Sequence, residues 1–178
     1  MKYIVFLRGV MPTGKNKLKM ADLRDLLNRE GYHNVETYIQ SGNVILDSDK
    51  DYDAVGRHIH QAVKEQLGPE LPVVVKTVEE VQAIVDENPY KDEKYNNSVS
   101  FCTMYQESFD EDLKQAVEDL DYKDEYIEFG RHALFYYLPN GAHRSKITNN
   151  LLERKLKTAL TSRNQNTMEK VLKKALGQ

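Results

Sequence analysis

Tryptophan is absent and cysteine occurs once, at Cys102, so intrachain disulfides and cysteine-rich metal centres are excluded. The position of Cys102 within the apolar stretch from Val99 to Met104 points to a buried small hydrophobe. No apolar run approaches the roughly 18 to 20 residues that span a bilayer. The run from Tyr3 to Leu7 is cut short by Arg8, which does not fit a secretory signal of ~15 to 30 residues, and a cytoplasmic setting is expected. Catalytic signatures are missing too. His33, His58, His60, His132 and His143 show no His-Glu-x-x-His spacing, no Gly-x-Ser-x-Gly elbow occurs, and Cys102 lacks a basic neighbour to activate it. The acidic run from Asp47 to Asp53 lacks the glycine and terminal glutamate of a calcium loop and reads as a solvated helix start. The sequence thus points to no metal, names no cofactor and no catalytic residue, and leaves open whether the protein is an enzyme.

Charge is present but unevenly spread. Met1–Arg24 holds six basic residues against one acidic, residues 25–142 hold ten against 25, and residues 143–178 hold nine against two, for a net charge of −3. Basic ends around an acidic middle favour an anionic ligand near the termini, whereas a pI near 6.0 argues against indiscriminate nucleic-acid binding.

The hydrophobic spacing orders the elements. Tyr3 to Leu7 reads as a covered strand, and Met20, Leu23, Leu26 and Leu27 as a helix closed by Gly31. Val35 to Ile39 and Asn43 to Leu46 form a hairpin around Ser41-Gly42. Val55, Ile59, Ala62, Val63 and Leu67 mark a helix ending at Gly68-Pro69, and Pro72 to Val75 a strand. That β-α-β-β-α-β order is the ferredoxin-like plan. After a helix opened by the capping pair Thr77 and Glu80, the plan repeats. Its second copy uses Val99 to Met104, a helix capped by Ser108 with Glu111, a type II′ hairpin at Gly130-Arg131, a helix through Leu152 and a strand near Ala159. A closing helix is expected to dock through Met168, Val171, Leu172, Ala175 and Leu176. The fold class is therefore α+β, with residues 1–76 as one plait and 77–178 as a second plait plus closing helix.

Small polar clusters stand where strands give way to loops or helices, where binding groups usually sit. They are Arg8-Gly9 with Gly14-Lys15-Asn16, then Tyr38-Ile39-Gln40-Ser41-Gly42-Asn43, and Thr161-Ser162-Arg163-Asn164 with Asn166-Thr167. With Asn34-Val35, Asn88-Pro89-Tyr90, Pro139 with Gly141 and Ser145, and Leu152-Glu153-Arg154-Lys155-Leu156, these motifs resemble the bacterial family called domain of unknown function 1697. The resemblance spans nearly the whole chain. It implies two tandem ferredoxin-like plaits and no established activity. Met11, Pro12 and Thr13 replace the family's usual Asn, Val and Gly, and Gln165 stands where an aromatic, usually Trp, is expected. If that aromatic stacks on a ligand, this chain has lost or changed the contact.

The loop from Gly9 to Asn16 fails the phosphate-loop pattern, which needs Ser or Thr at Asn16, yet its glycines have the offset that lets main-chain amides cradle an anion. Gln40, Ser41 and Asn43 offer amide and hydroxyl groups for a polar ligand, or serve the turn alone. Asn164 or Thr167 fits a helix N-cap, and Arg163 near a helix N-terminus calls for an answering anion. The ligand-binding set is thus Arg8, Gly9, Lys15, Asn16, Gln40, Ser41, Asn43, Arg163, Asn164 and Thr167, expected to converge on one site for a small anionic ligand, a nucleotide or phosphorylated metabolite. The alternatives are RNA or single-strand binding, weakened by the absence of an aromatic-rich RNA-binding strand, and an enzyme whose acid and base groups lie on separate loops. No membrane partner is expected, and oligomeric state is left open.

Overall fold

Both faces of β1 (Lys2–Leu7) are covered, as its unbroken apolar sequence requires: Tyr3, Val5 and Leu7 point one way, Ile4 and Phe6 the other, and all are buried. The computed structural model describes residues 1–178. In sequence order, β1 is followed by α1 (Met20–Arg29), β2 (His33–Tyr38), β3 (Asn43–Asp47), α2 (Tyr52–Gln66), β4 (Val73–Thr77) and α3 (Val78–Glu87). Then come β5 (Ser100–Tyr105), α4 (Glu111–Glu118), β6 (Tyr126–Phe129), β7 (Leu134–Tyr137), α5 (Asn149–Leu156), β8 (Leu160–Asn164) and α6 (Gln165–Ala175). The result is a mixed α+β protein with two four-stranded antiparallel sheets, ordered β2-β3-β1-β4 and β6-β7-β5-β8. The chain divides into two compact units, Met1–Val81 with Val171–Gln178, and Gln82–Lys170. The division falls inside α3 and α6.

In the first unit, Leu23, Leu26 and Leu27 of α1 and Val55, Ile59 and Val63 of α2 pack on Tyr3, Val5, Leu7, Val44, Leu46 and Val75. Large side chains buried this way contribute about 1.5 to 3 kcal/mol each. The helix ends are chemically marked. Gly31 (φ +86°) terminates α1, with the Tyr32 amide donating to Leu27 O at 3.1 Å. Asp51 caps α2 by accepting from the Ala54 amide at 2.8 Å, and Gly68 (φ +101°) ends it. The pair opening α3 is reciprocal: Thr77 N donates to Glu80 Oε2 at 2.8 Å and Glu80 N to Thr77 Oγ1 at 3.1 Å. Of the closing-helix residues, Met168, Val171, Leu172 and Ala175 are buried, but Leu176 is exposed because α6 has already ended at Ala175.

The second unit packs α4 and α5 on one sheet face, with Val117, Leu152, Leu156, Leu134, Tyr136 and Leu160 at its core. Two local expectations fail there. Helix α4 starts at Glu111 with Asp110 as N-cap, so Ser108 and Glu111 form no capping box. The β6–β7 turn is a four-residue loop, not a type II′ pair: Phe129 pairs with Leu134, and Gly130 donates to Ala133 O at 2.8 Å. Gly130 has no positive φ; a Cβ there would meet the Phe135 ring at 2.5 Å. The loop is set by the Glu87 carboxylate, which accepts from the Arg131 and His132 amides at 3.2 and 2.9 Å, so a distant acid overrode the local turn signal.

A polar knot lies inside this unit. Asn88 Nδ2 donates to Gln165 Oε1 (2.8 Å) and Ser100 Oγ (3.1 Å), Asn88 Oδ1 accepts from the Tyr90 amide (2.9 Å), and the Cys102 thiol donates to Gln165 Oε1 (3.4 Å). The side chains of Asn88, Ser100, Cys102 and Gln165 are all buried, and burial pushes the Cys102 thiol well above its usual range, leaving it inert. Gln165 is thus a core hydrogen-bond partner and no ligand-stacking position. Asn88→Ala orphans the buried Tyr90 amide, at a cost of about 1 to 3 kcal/mol, and leaves Gln165 Oε1 with the weak Cys102 thiol as its donor. We expect a destabilisation of about 2 kcal/mol or more by denaturant titration, with Asn88→Ala and Gln165→Leu together costing less than their sum.

Candidate functional site

The first two polar clusters meet at one end of the first sheet because β1 and β3 are antiparallel neighbours: the chain leaves β1 at Arg8 where it enters β3 at Asn43. Leu7 N donates to Gly42 O at 2.8 Å, and Gln40 Nε2 donates to Leu18 O at 2.5 Å, tying the 39–42 turn to the loop of residues 8–19. Within that loop Met11 N donates to Asn16 O (3.0 Å), Lys17 N to Gly14 O (3.2 Å) and Leu18 N to Met11 O (3.4 Å). Gly9 and Gly14 take φ +77° and +81°, the conformations glycine adopts without strain. The amide nitrogens of Thr13, Gly14, Lys15 and Asn16 donate to no acceptor in the chain. Arg8 is half-buried and Lys15, Lys17 and Lys19 are exposed, with no acidic residue between positions 8 and 19. Lys15 does lower the carboxyl pKa of Glu70, a smaller effect than that of Glu70's hydrogen bond to Lys64.

Several expected ligand groups are engaged in the turn itself. Asn43, buried, donates through Nδ2 to Tyr38 O (3.0 Å) and Ser41 Oγ (2.9 Å). In the second unit, Asn164 caps α6 by accepting from the Thr167 amide at 2.9 Å. Arg163 lies in β8 and donates to Thr161 Oγ1 and Ser162 O, both at 2.9 Å. Desolvation lowers its guanidinium to about 10, so it remains charged at neutral pH.

Sequence reasoning missed a second cluster in the first unit. Tyr32 Oη lies 2.9 Å from His58 Nδ1, Lys50 Nζ donates to the same Nδ1 at 3.1 Å, and His58 Nε2 lies 2.9 Å from Glu30 Oε2. Because an ammonium can only donate, Nδ1 is an acceptor and the proton sits on Nε2, facing Glu30. Lys50 also stands 5.0 Å over the Tyr32 ring and lines a cleft of about 500 Å³ with Tyr3, Ser48, Asp49, Asp51 and Tyr52. Burial and the Glu30 charge push the Tyr32 phenol up to about 12. His60, on the same helix, takes no part in this cluster: its Nδ1 pairs with Leu71 O at 2.7 Å. No group of three or more acidic, histidine or cysteine side chains is placed to hold a metal, and no helix is long and apolar enough to cross a membrane.

Two outcomes follow from these contacts. A Cβ on Gly42, at φ +81°, would meet Val10 Cγ2 at 2.8 Å and Leu7 Cβ at 2.9 Å. Gly42→Ala should therefore cost about 2 kcal/mol or more in denaturant titration, from left-handed strain plus overpacking. Glu30 has its carboxyl pKa lowered below 4.5, first by the Gln66 side-chain hydrogen bond and then by His58 and Lys50. A lowered carboxylate stabilises the fold above its unfolded pKa and loses that contribution as pH falls through the folded one. The melting temperature of the wild type should thus fall more steeply below about pH 4.5 than that of Glu30→Gln.

No curated protein matches the chain. Among solved structures it is similar to the conserved bacterial protein SP0830 from Streptococcus pneumoniae, with 25% identity, a TM-score of 0.77 and 97% of each chain covered. The model of the family described as protein of unknown function DUF1697 matches residues 1–135. That match takes in the first sheet, the loop of residues 8–19 and the turn of residues 39–42, and the chain belongs to the DUF1697 family.

Proposed function

We propose that the protein binds a small anionic ligand, a nucleotide or phosphorylated metabolite, at the loop end of the first unit. The observation that carries this reading is the loop of residues 8–19 itself. It carries Arg8, Lys15, Lys17 and Lys19 with no acidic residue of its own and leaves four consecutive main-chain amides unengaged. Amides in such a turn are fixed dipoles that stabilise an anion, and surrounding cations steer one toward them. Gly9 and Gly14 hold the backbone, Lys15 supplies charge, Asn16 shapes the loop and Gln40, Ser41 and Asn43 orient and close its wall. Arg163, Asn164 and Thr167 belong to the proposed set through their sequence cluster alone. We further propose that each sheet with its two helices is a ferredoxin-like plait, since both strand orders follow from a β-α-β-β-α-β connection. In that reading 1–76 and 77–178 are the two plaits, in a cytoplasmic protein.

A thermal-shift screen followed by calorimetry with inorganic pyrophosphate, AMP and ribose 5-phosphate tests the ligand reading. At least one anion should raise the melting temperature and bind with an affinity that falls with salt, and Lys15→Gln should weaken it about threefold to tenfold. Arg163→Gln tests the expected convergence: weakening of the same anion places Arg163 in the set, and unchanged binding confines the site to the first unit. Absence of binding by all three anions overturns the reading.

A further inference from the structure

Ile39 combines two locally unfavourable choices. It holds φ +50°, in the left-handed region, and it is 50% exposed. The chain places four non-glycine residues at positive φ, Asn34, Ile39, Lys123 and Lys157, and Ile39 is the β-branched one. Asparagine visits this region at little cost because its short side chain bonds locally, whereas a branched Cβ crowds the following carbonyl. Such a residue is normally compensated by burying its side chain, yet Ile39 packs in neither of the cores beneath the helices. Strained residues that contribute nothing to packing cluster where a ligand is held.

The bonds of the next residue fix where the turn of Ile39 lies. Gln40, the next residue, is hydrogen-bonded to Leu18 O, and Leu18 N is bonded to Met11 O. Met11 is likewise a large apolar side chain, 51% exposed, on the loop that carries Lys15 and Lys17. The turn that carries exposed Ile39 is thus fastened to the loop that carries exposed Met11, the cations Lys15 and Lys17, and the unengaged 13–16 amides. A bare phosphate or sugar phosphate gives such side chains nothing to cover. A ligand with an anionic end and a flat, weakly polar body uses both.

We propose that Ile39 and Met11 are specificity-determining contacts for the base of a nucleoside phosphate whose phosphate lies on the 13–16 amides. This rests on the anion cradle proposed above and narrows its ligand class from phosphorylated metabolites in general to nucleoside phosphates. Ile39 is held out by the turn that Asn43 and Gln40 close, so its exposed flank is pre-organised to cover one face of the base and Met11, with its flexible thioether, adapts to the edge.

The test uses the full chain with AMP, ribose 5-phosphate and inorganic phosphate as calorimetric probes. AMP should bind about fivefold to tenfold more tightly than ribose 5-phosphate, the gain expected from covering the exposed parts of two apolar side chains. Ile39→Asn relieves the backbone strain, so its melting temperature should equal or exceed that of the wild type. Its affinity for AMP should nevertheless drop toward that of ribose 5-phosphate, whose own binding stays unchanged. Ile39→Gly, which keeps the left-handed turn without a side chain, should behave likewise, and Met11→Ser should give a smaller loss of the same kind. Equal binding of AMP and ribose 5-phosphate, or AMP binding untouched by both Ile39 substitutions, overturns the base contact while leaving the cradle standing. Failure of all three probes to bind overturns this inference, and failure of pyrophosphate as well overturns the cradle with it.

Discussion

Leu7 and Gly42 meet where β1 ends and β3 begins, and the first unit's loop architecture depends on that contact. The Leu7 amide closes on Gly42 O at 2.8 Å, and Gly42 lies so near Leu7 and Val10 that no Cβ fits between them. A glycine at φ +81° is the one residue that satisfies both the turn and the approach. The approach draws the 8–19 loop against the 39–42 turn, and Gln40 then fastens the two through Leu18 O. The charged loop is held to the sheet by main-chain and amide bonds, with its lysines exposed and the Thr13–Asn16 amides unengaged.

The second unit buries a set of polar side chains that satisfy one another. Asn88, Gln165, Ser100 and Cys102 are hydrogen-bonded to one another, and nearer the surface Glu87 accepts from the Arg131 and His132 amides. Each carboxamide uses both ends: Asn88 donates into the set and accepts from Tyr90, while Gln165 accepts within it and donates to Glu169 at 2.9 Å. A buried network of this kind is stabilising only when complete. It accounts for glutamine at position 165 on packing grounds, without any appeal to a ligand.

The Glu30–His58–Tyr32 chain shows a third use of polar groups, partly buried and away from the loop end of the sheet. Its members come from the end of α1, the start of β2 and the middle of α2, with Lys50 added from the turn before α2. Here hydrogen-bond direction follows from chemistry alone: lysine cannot accept, so His58 must accept at Nδ1, and its remaining proton meets the carboxylate.

Strands, helices and caps were legible wherever the signal was local. The run from Tyr3 to Leu7, the stops at Gly31 and Gly68, the reciprocal Thr77–Glu80 cap and Asn164 at the start of α6 all depend on residues within a few positions of each other. The meeting of the 8–19 loop with the 39–42 turn was legible too, because antiparallel neighbours in a split β-α-β order must bring those ends together. What the sequence could not reveal were contacts between residues 26 to 77 positions apart: Tyr32 with His58, Glu87 with the 131–132 amides, Asn88 with Gln165. Those decided the β6–β7 loop and the role of Gln165, against the local turn and motif readings. Local backbone preferences amount to fractions of a kcal/mol, while a carboxylate or carboxamide taken out of water without its partners costs several times more, so at these positions the tertiary structure prevailed.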